Sequence, residues 1–341
     1  MSLVKYTIRR NLALIPILFG VLFMTFIMTR FMPGNPFMFA IGEHPTTSQI
    51  EQMNRMIERY GLNDPVLVQL WLYVQRLFTG DWGVSLIIRR GTPVWSMILD
   101  VFPRTAEIAL LSVGIATAIG IRAGITSAVS RNTRKDTFIR FFALMGVAIP
   151  VFWLGMILQF TFAYRLGWLP STMYFDANLD AVTKITHFRL IDTLIQGNFV
   201  AFWDTVRHLI MPVFCLSFIY LAGITRQTRS SMLEVLELDY VRTARAKGCK
   251  EKDVINKHAF RNALIPVVTV VGLGFAGLLG GAVLTETTFN LNAMGMLTVQ
   301  AINSIDYDII NATIFIGTII LVSANLIIDL IYGIVDPRIR Y

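Results

Sequence analysis

Apolar residues fall into six long runs along this chain, covering 11–29, 107–130, 141–164, 209–225, 262–285 and 309–328. Each is close to the twenty or so residues that carry a helix across roughly 30 Å of hydrocarbon. The first run is too long for the apolar core of a signal peptide. Arg30, Phe31, Met32 and Pro33 follow it in place of a small-residue cleavage site, so it reads as a retained helix. Arg122 interrupts the second run, flanked by Gly120 and Gly124, whose spacing suits close helix packing. Arg122 either snorkels to headgroups or lines a pathway. Pro150 and Pro212 sit in the third and fourth runs, where each removes a backbone hydrogen bond and can kink its helix.

The stretch between the first two runs, 33–97, is patterned. Ser48 and Glu51 suit a capping box ahead of Met53, Met56, Ile57 and Tyr60, which share one helical face up to Gly61. Asp64-Pro65 reads as an N-cap with proline at the first helical position. Leu67, Leu70, Val74 and Leu77 then mark a second amphipathic helix, stopped at Gly80. Two compatible readings follow: a small helical cap packed on the bundle, or a surface for an external partner. The chain divides accordingly into 1–32, 33–97 and a core of 98–341.

Composition supports a membrane protein. Of 341 residues, 55% are hydrophobic and only 15% charged, against about 25% charged in soluble domains. Mean hydropathy is +0.60. The net charge of +8 is explained by loop lysines and arginines without invoking nucleic acid. The N-terminus, the 131–140 and 226–261 loops and the C-terminus carry 18 Lys and Arg against 7 Asp and Glu, and the opposite set carries 9 against 12. The positive-inside rule therefore puts both termini in the cytoplasm and 33–97 and 286–309 outside. Cys215 lies in an apolar run and Cys249 in a basic one, which suits neither a disulfide nor a metal site.

The most informative segment is 226–261. It is too polar to span a membrane. The pattern predicts a helix over 230–247 ended by Gly248 at C′. Tyr240, Thr243, Ala244 and Lys247 share a face that is small at its middle, and 252–258 starts a second short helix. Such a knob can insert into a groove on another protein, with basic flanks meeting an acidic rim. A solvated basic loop facing headgroups is the other reading.

Asp239-Tyr240-Val241-Arg242-Thr243-Ala244-Arg245-Ala246-Lys247-Gly248, followed by Arg261-Asn262-Ala263-Leu264-Ile265-Pro266, resembles the cytoplasmic signature of ABC-importer permeases. The nearest version is the B-type permease of dipeptide and oligopeptide importers. Ala244 and Gly248 keep the general Glu-Ala-Ala-three-residue-Gly pattern, and Arg242-Thr243-Ala244 follows the peptide branch. Arg9-Arg10, Pro33-Gly34-Asn35-Pro36, Gly80-Asp81-Trp82-Gly83-Val84-Ser85, Pro150-Val151-Phe152-Trp153, Gly167-Trp168-Leu169-Pro170, Thr285-Glu286-Thr287-Thr288-Phe289 and Asp336-Pro337-Arg338-Ile339-Arg340 add to it in order and spacing. After Phe289 the chain departs from the family's Trp-Pro-Gly-Leu-Gly-like turn: Leu291-Asn292-Ala293-Met294-Gly295 keeps only the last glycine.

The resemblance implies an all-α permease of six transmembrane helices forming half of a pathway in a prokaryotic plasma membrane. It also implies a second related permease, two ATPase subunits and an extracytoplasmic substrate-binding protein. ATP and magnesium would be used by the ATPases, with no cofactor on this chain. Asp239, Tyr240, Arg242, Thr243, Ala244, Arg245, Lys247 and Gly248 would couple to the ATPase. Sibling importers of nickel, glutathione or oligosaccharides share this permease type.

No Gly-x-x-x-x-Gly-Lys-Ser/Thr loop, His-Glu-x-x-His or Gly-x-Ser-x-Gly motif occurs, so neither ATP hydrolysis nor a hydrolase site is visible here. His44, His187, His208 and His258 form no ligand set. An ion-coupled carrier would need paired carboxylates at mid-membrane, and the runs hold only Arg122 and end-lying acids such as Glu107 and Asp329. Few polar positions are available to meet a hydrophilic solute. Ser112, Thr117, Gln159 and Thr161 are the candidates, although each can instead bond a neighbouring backbone carbonyl.

Overall fold

The computed structural model describes residues 3–32, 46–61, 63–179 and 181–335. The 33–36 and 336–340 motifs lie outside the described residues, as do His44 and the side chains of Arg9, Arg10, Met53, Met56, Tyr60 and Asp329. Apolar segments in hydrocarbon must satisfy their backbone groups internally, and helices do so. Among the described residues every regular element is a helix, and the one β contact is an isolated bridge between Val84 and Pro93.

The first span is α1 (Leu3–Phe31). Two helices follow before the second span, α2 (Thr47–Tyr60) and α3 (Val66–Phe78). Leu70 and Tyr73 of α3 pack on Leu22 and Phe26 of α1. Leu67 is off that face, 72% exposed. The N-cap of α3 is Pro65, not Asp64, and Ser48 lies within α2, one residue past its start.

Next comes α4 (Val94–Val129), of 36 residues, or about 54 Å at 1.5 Å per residue. It begins inside the expected 33–97 segment, because Val94, Met97, Ile98 and Val101 bury against Met294, Leu297, Ala301 and Ile309. The expected third span is not straight. Helices α5 (Arg134–Ala148) and α6 (Val151–Leu158) meet at 98°. Ile149 precedes Pro150 and is extended, with φ −84° and ψ 122°. A proline disfavours the helical region for the residue before it. A π-helical turn, Gln159–Arg165, continues α6.

The short α7 (Arg189–Ile195) leads into α8 (Phe199–Leu236), 38 residues long and unbroken at Pro212. After α9 (Asp239–Ala246) the chain climbs through α10 (Glu251–Asp253) and a π turn (Val254–Ala259) into α11 (Phe260–Leu279). The expected 262–285 run thus stops at Leu279, where Gly280 and Gly281 turn the chain into α12 (Val283–Thr288). Two further helices complete the fold, α13 (Met294–Ser304) and α14 (Tyr307–Val335). Among the described residues, five helices are long and apolar enough to cross a membrane, six if the bent pair is one span.

At the centre α4 and α8 run in the same direction. The Ser217 hydroxyl donates to the Ser112 carbonyl at 3.1 Å, Gly120 lies against Ile224, and Gly124 against Thr228. A Cβ at Gly124 would fall 2.5 Å from Thr228 Cβ and 2.8 Å from the Thr225 carbonyl. No side chain fits there without parting the helices.

Gly124→Val should therefore lower stability by about 1–3 kcal/mol, the usual cost of overpacking. Gly114, also on α4, has nothing within 4 Å of its missing Cβ. Gly114→Ala should be neutral or stabilising by up to about 1 kcal/mol. Thermal melts of the purified chain in detergent check both, and equal melting temperatures for the two variants would contradict the packing argument.

Candidate functional site

The predicted continuous helix over 230–247 is two helices. Leu236 ends α8, Leu238 takes an extended backbone with ψ 147°, and α9 starts at Asp239. The break is compensated by burial. Val241 and Ala244 turn inward onto Met232, Val235, Val254, Ala259 and Ala263. The small-residue face is accordingly divided: Ala244 is buried in the chain's own core, whereas Tyr240, Arg242, Thr243, Arg245 and Lys247 are exposed.

The knob is fixed at both ends. Asn262 Nδ2 donates to Tyr240 Oη at 2.6 Å, tying α9 to the start of α11. Arg245 forks onto Glu251, with Nη2–Oε1 at 2.8 Å and Nε–Oε2 at 3.2 Å. Arg242 lies 3.5 Å from Asp239. Gly248, with φ +78°, closes the helix in a Schellman turn: its N–H donates to the Arg245 carbonyl at 2.9 Å, and that of Cys249 to the Ala244 carbonyl at 3.2 Å.

Beside the knob, Asp136 joins three helices. It is fully buried and accepts from Ser127 Oγ at 2.5 Å, Asn132 N at 3.0 Å, and Arg229 Nε and Nη2 at 2.9 and 3.0 Å. The ends of α4, α5 and α8 meet on this one carboxylate. Removing one partner of such a pair leaves the other charge buried. Sequence reasoning counted Asp136 and Arg229 only as loop charges.

The opposite end of the bundle has its own buried carboxylates. Glu286 accepts from Thr105 Oγ1 and Ala282 N, both at 3.1 Å, on one oxygen and from Met296 N at 3.0 Å on the other. Thr105 Oγ1 in turn accepts from Met294 N at 2.9 Å, so α4, α12 and α13 are locked together. Gly295 is part of this lock, because a Cβ there would sit 2.9 Å from Glu286 Oε2 and 3.0 Å from the Val283 backbone. Asp306 gathers the 85–88 turn: Oδ2 accepts from Ser85 Oγ at 2.8 Å and from the Leu86, Ile87 and Ile88 N–H groups at 3.1, 3.1 and 3.4 Å.

The four pathway candidates are scattered, and no hydrogen bond joins any two of them among the described residues. Ser112 is fully buried in the α4–α8 contact. Thr117, half-buried on α4, lies one turn further along. Gln159 Nε2 donates to the carbonyls of Ser171 at 2.8 Å and Thr288 at 3.0 Å, a structural bridge. Thr161 is half-buried in the π-helical turn, where its carbonyl accepts from Leu166 N. Arg122 is exposed on α4. No group of three or more His, Cys, Asp or Glu suited to a metal occurs among the described residues.

These long apolar helices are those of a multi-pass membrane component, and α9 is a polar knob at one end of the bundle. Residues 120–341 match the model of the binding-protein-dependent transport system inner membrane component, and residues 3–109 match the N-terminal part of such components. The chain belongs to this family: it is an ABC-importer permease subunit and is not itself an enzyme. It is 43% identical to the dipeptide transport system permease protein DppB of Alkalihalophilus pseudofirmus, over 99% of this chain and 100% of that one. It is 41% identical to the di/tripeptide permease DppB of Pseudomonas aeruginosa, over 99% of each chain. Identity to the oligopeptide permease AppB of Bacillus subtilis is 40%, over 98% and 99%. The fold is similar to that of the methionine ABC transporter MetNI in an inward-facing conformation, with a TM-score of 0.54 at 13% identity, covering 71% of this chain and 97% of that one.

Burial raises the Glu286 carboxyl above its ordinary 4.5, against the opposing pull of its hydrogen bonds from Met296, Ala282 and Thr105. The folded chain then holds this proton more tightly than the unfolded one. Its contribution is most favourable below 4.5 and declines as pH rises above that value. Glu286→Gln should abolish that slope in melting temperature. It should also cost about 1–3 kcal/mol at low pH, because its NH2 must face a backbone donor. Melts from pH 4 to 8 test both, and an unchanged slope in the variant refutes the assignment.

Proposed function

We propose that this chain is one permease half of an ATP-driven importer of short peptides. A second, related permease completes the pathway between the two chains, two ATPases dock on the α9 knob, and an extracytoplasmic binding protein delivers substrate at the opposite end. The observation that carries the coupling role is the build of α9. It presents Tyr240, Arg242, Thr243 and Lys247 outward while anchored to α8 through Val241 and Ala244, to α10 through Arg245 and to α11 through Tyr240. A push on that surface moves two spans together. The peptide substrate is supported by the names of relatives alike along nearly the whole chain.

The pathway reading has support in what α4 leaves uncovered. Gly114, Ile115, Ala118 and Ile119 form an exposed strip on the helix. Polar groups crossing hydrocarbon unsatisfied cost several kcal/mol each. A wide wet passage between two half-bundles meets that need better than a slot inside one. The charge asymmetry of the loops supports cytoplasmic termini, with 33–97 and 286–309 outside.

Gly248→Val tests the knob. No atom lies within 4 Å of the missing Cβ, so the only penalty is the left-handed backbone, about 1–2 kcal/mol. Membrane insertion should survive while peptide uptake by the assembled importer falls at least about tenfold, as expected when a docked surface shifts. Normal uptake would sink the coupling role.

Orientation can be read from thiols. Cys249 is exposed and Cys215 buried. An impermeant maleimide should miss Cys249 in intact cells and label it in inverted vesicles. A cysteine at Asn303 in a Cys249→Ser background should show the reverse pattern.

A further inference from the structure

At the end of the bundle opposite the knob, a cavity of about 520 Å³ opens between the start of α4, residues 173–177 with Lys184, and the turn before α13. Among the described residues its charged lining is Arg89, Asp100, Arg104 and Lys184. Asp100 already serves two cations, bonding Lys184 Nζ and lying 3.5 Å from Arg89 Nη1. Arg104 is bonded to no carboxylate among the described residues. It donates to the Asn292 carbonyl at 2.9 Å, with its guanidinium 5.7 Å from the Tyr174 ring and 5.9 Å from that of Phe175. Among the described lining residues, three cations and one acid leave two positive charges in surplus.

The neutral polar lining is equally specific. Asn290, Asn292 and Gln300 offer side-chain amides that make no hydrogen bond among the described residues. Asn290 and Asn292 hold left-handed backbones, with φ +50° and +46°. Asparagine tolerates that region better than most residues, and such strain gathers at ligand sites.

We propose that this cavity binds the free C-terminal carboxylate of a short peptide. Arg104 and Lys184 supply the cations, and the Asn290, Asn292 and Gln300 amides pair with peptide groups. The inference rests on the peptide-importer reading above. An amide carries both a donor and an acceptor, as a peptide bond does. A partner protein's acidic edge would need cations alone and no concavity. The volume is within the range usual for small-ligand sites.

The test uses the full complex of this chain, its second permease and the ATPases in nanodiscs, without the binding protein. Trialanine and trialanine amide are titrated by saturation-transfer NMR. Wild type should bind trialanine, and amidation should weaken binding about tenfold, the loss of one charge-assisted contact. Arg104→Gln should weaken trialanine by the same factor, and amidation should then cost nothing more. Lys184→Gln, on the exposed rim, is the second variant if Arg104→Gln fails to assemble. Fully additive losses, or no effect of either change, overturn the site. When the binding protein is then added to the same complexes, unchanged trialanine binding with lost ATPase stimulation assigns the cavity to protein docking and overturns it too. Transport assays of the complete importer in proteoliposomes separate the two levels: no peptide uptake refutes the importer reading itself, whereas uptake with additive losses refutes only the site.

Discussion

The close approach of α4 and α8 is the contact on which the rest of the bundle is built. In hydrocarbon there is no hydrophobic drive to bring helices together, so association depends on van der Waals fit and a few polar bonds. Gly120 and Gly124 let the two backbones meet, and α8 is then approached from other sides. Gly146 of α5 leaves room for Ala222 and the Phe218 carbonyl, and Gly274 of α11 for the Tyr220 ring. The longest helix is thereby held on three faces, and the knob at its end and the Asp136 lock beside that end inherit their positions from it.

Much of this architecture is legible in the chain's pattern, for identifiable reasons. Spans are long apolar runs, and length and composition are enough to find them. The third span shows the limit of that signal. Its apolar character continues through Ile149, while its backbone direction changes by 98°. Pro150 marks the place, but a proline inside α8 leaves that helix unbroken, so the residue alone does not decide. The split at Leu238 was hidden for a related reason. Helical periodicity runs on through it, and the gain that breaks the helix is tertiary, the burial of Val241 and Ala244.

The site divides the same way. Gly248 is readable because a left-handed C′ residue is a local requirement. Asp136, Glu286 and Asp306 are not, because their partners lie far along the chain and many are backbone N–H groups. Asp306 bonds residues about 220 positions away. A backbone donor has no letter in the sequence, so no motif could have announced these locks. Within the expected coupling face the side chains divide: Ala244 turns to the interior, and Tyr240, Arg242, Thr243, Arg245 and Lys247 lie at the surface.

The Glu286 lock carries a consequence for how this region can evolve. Two of its three donors, Ala282 N and Met296 N, are main-chain groups, which any residue but proline supplies. The turn between Phe289 and Gly295 can therefore exchange its side chains without loosening the lock, provided that Gly295 stays small. Here the turn carries Asn290 and Asn292 at the rim of a charged cavity, above an anchor made largely of main-chain donors. A segment fastened by its backbone is free to vary in what it displays, which is the condition under which one scaffold can diversify its ligands without rebuilding its core.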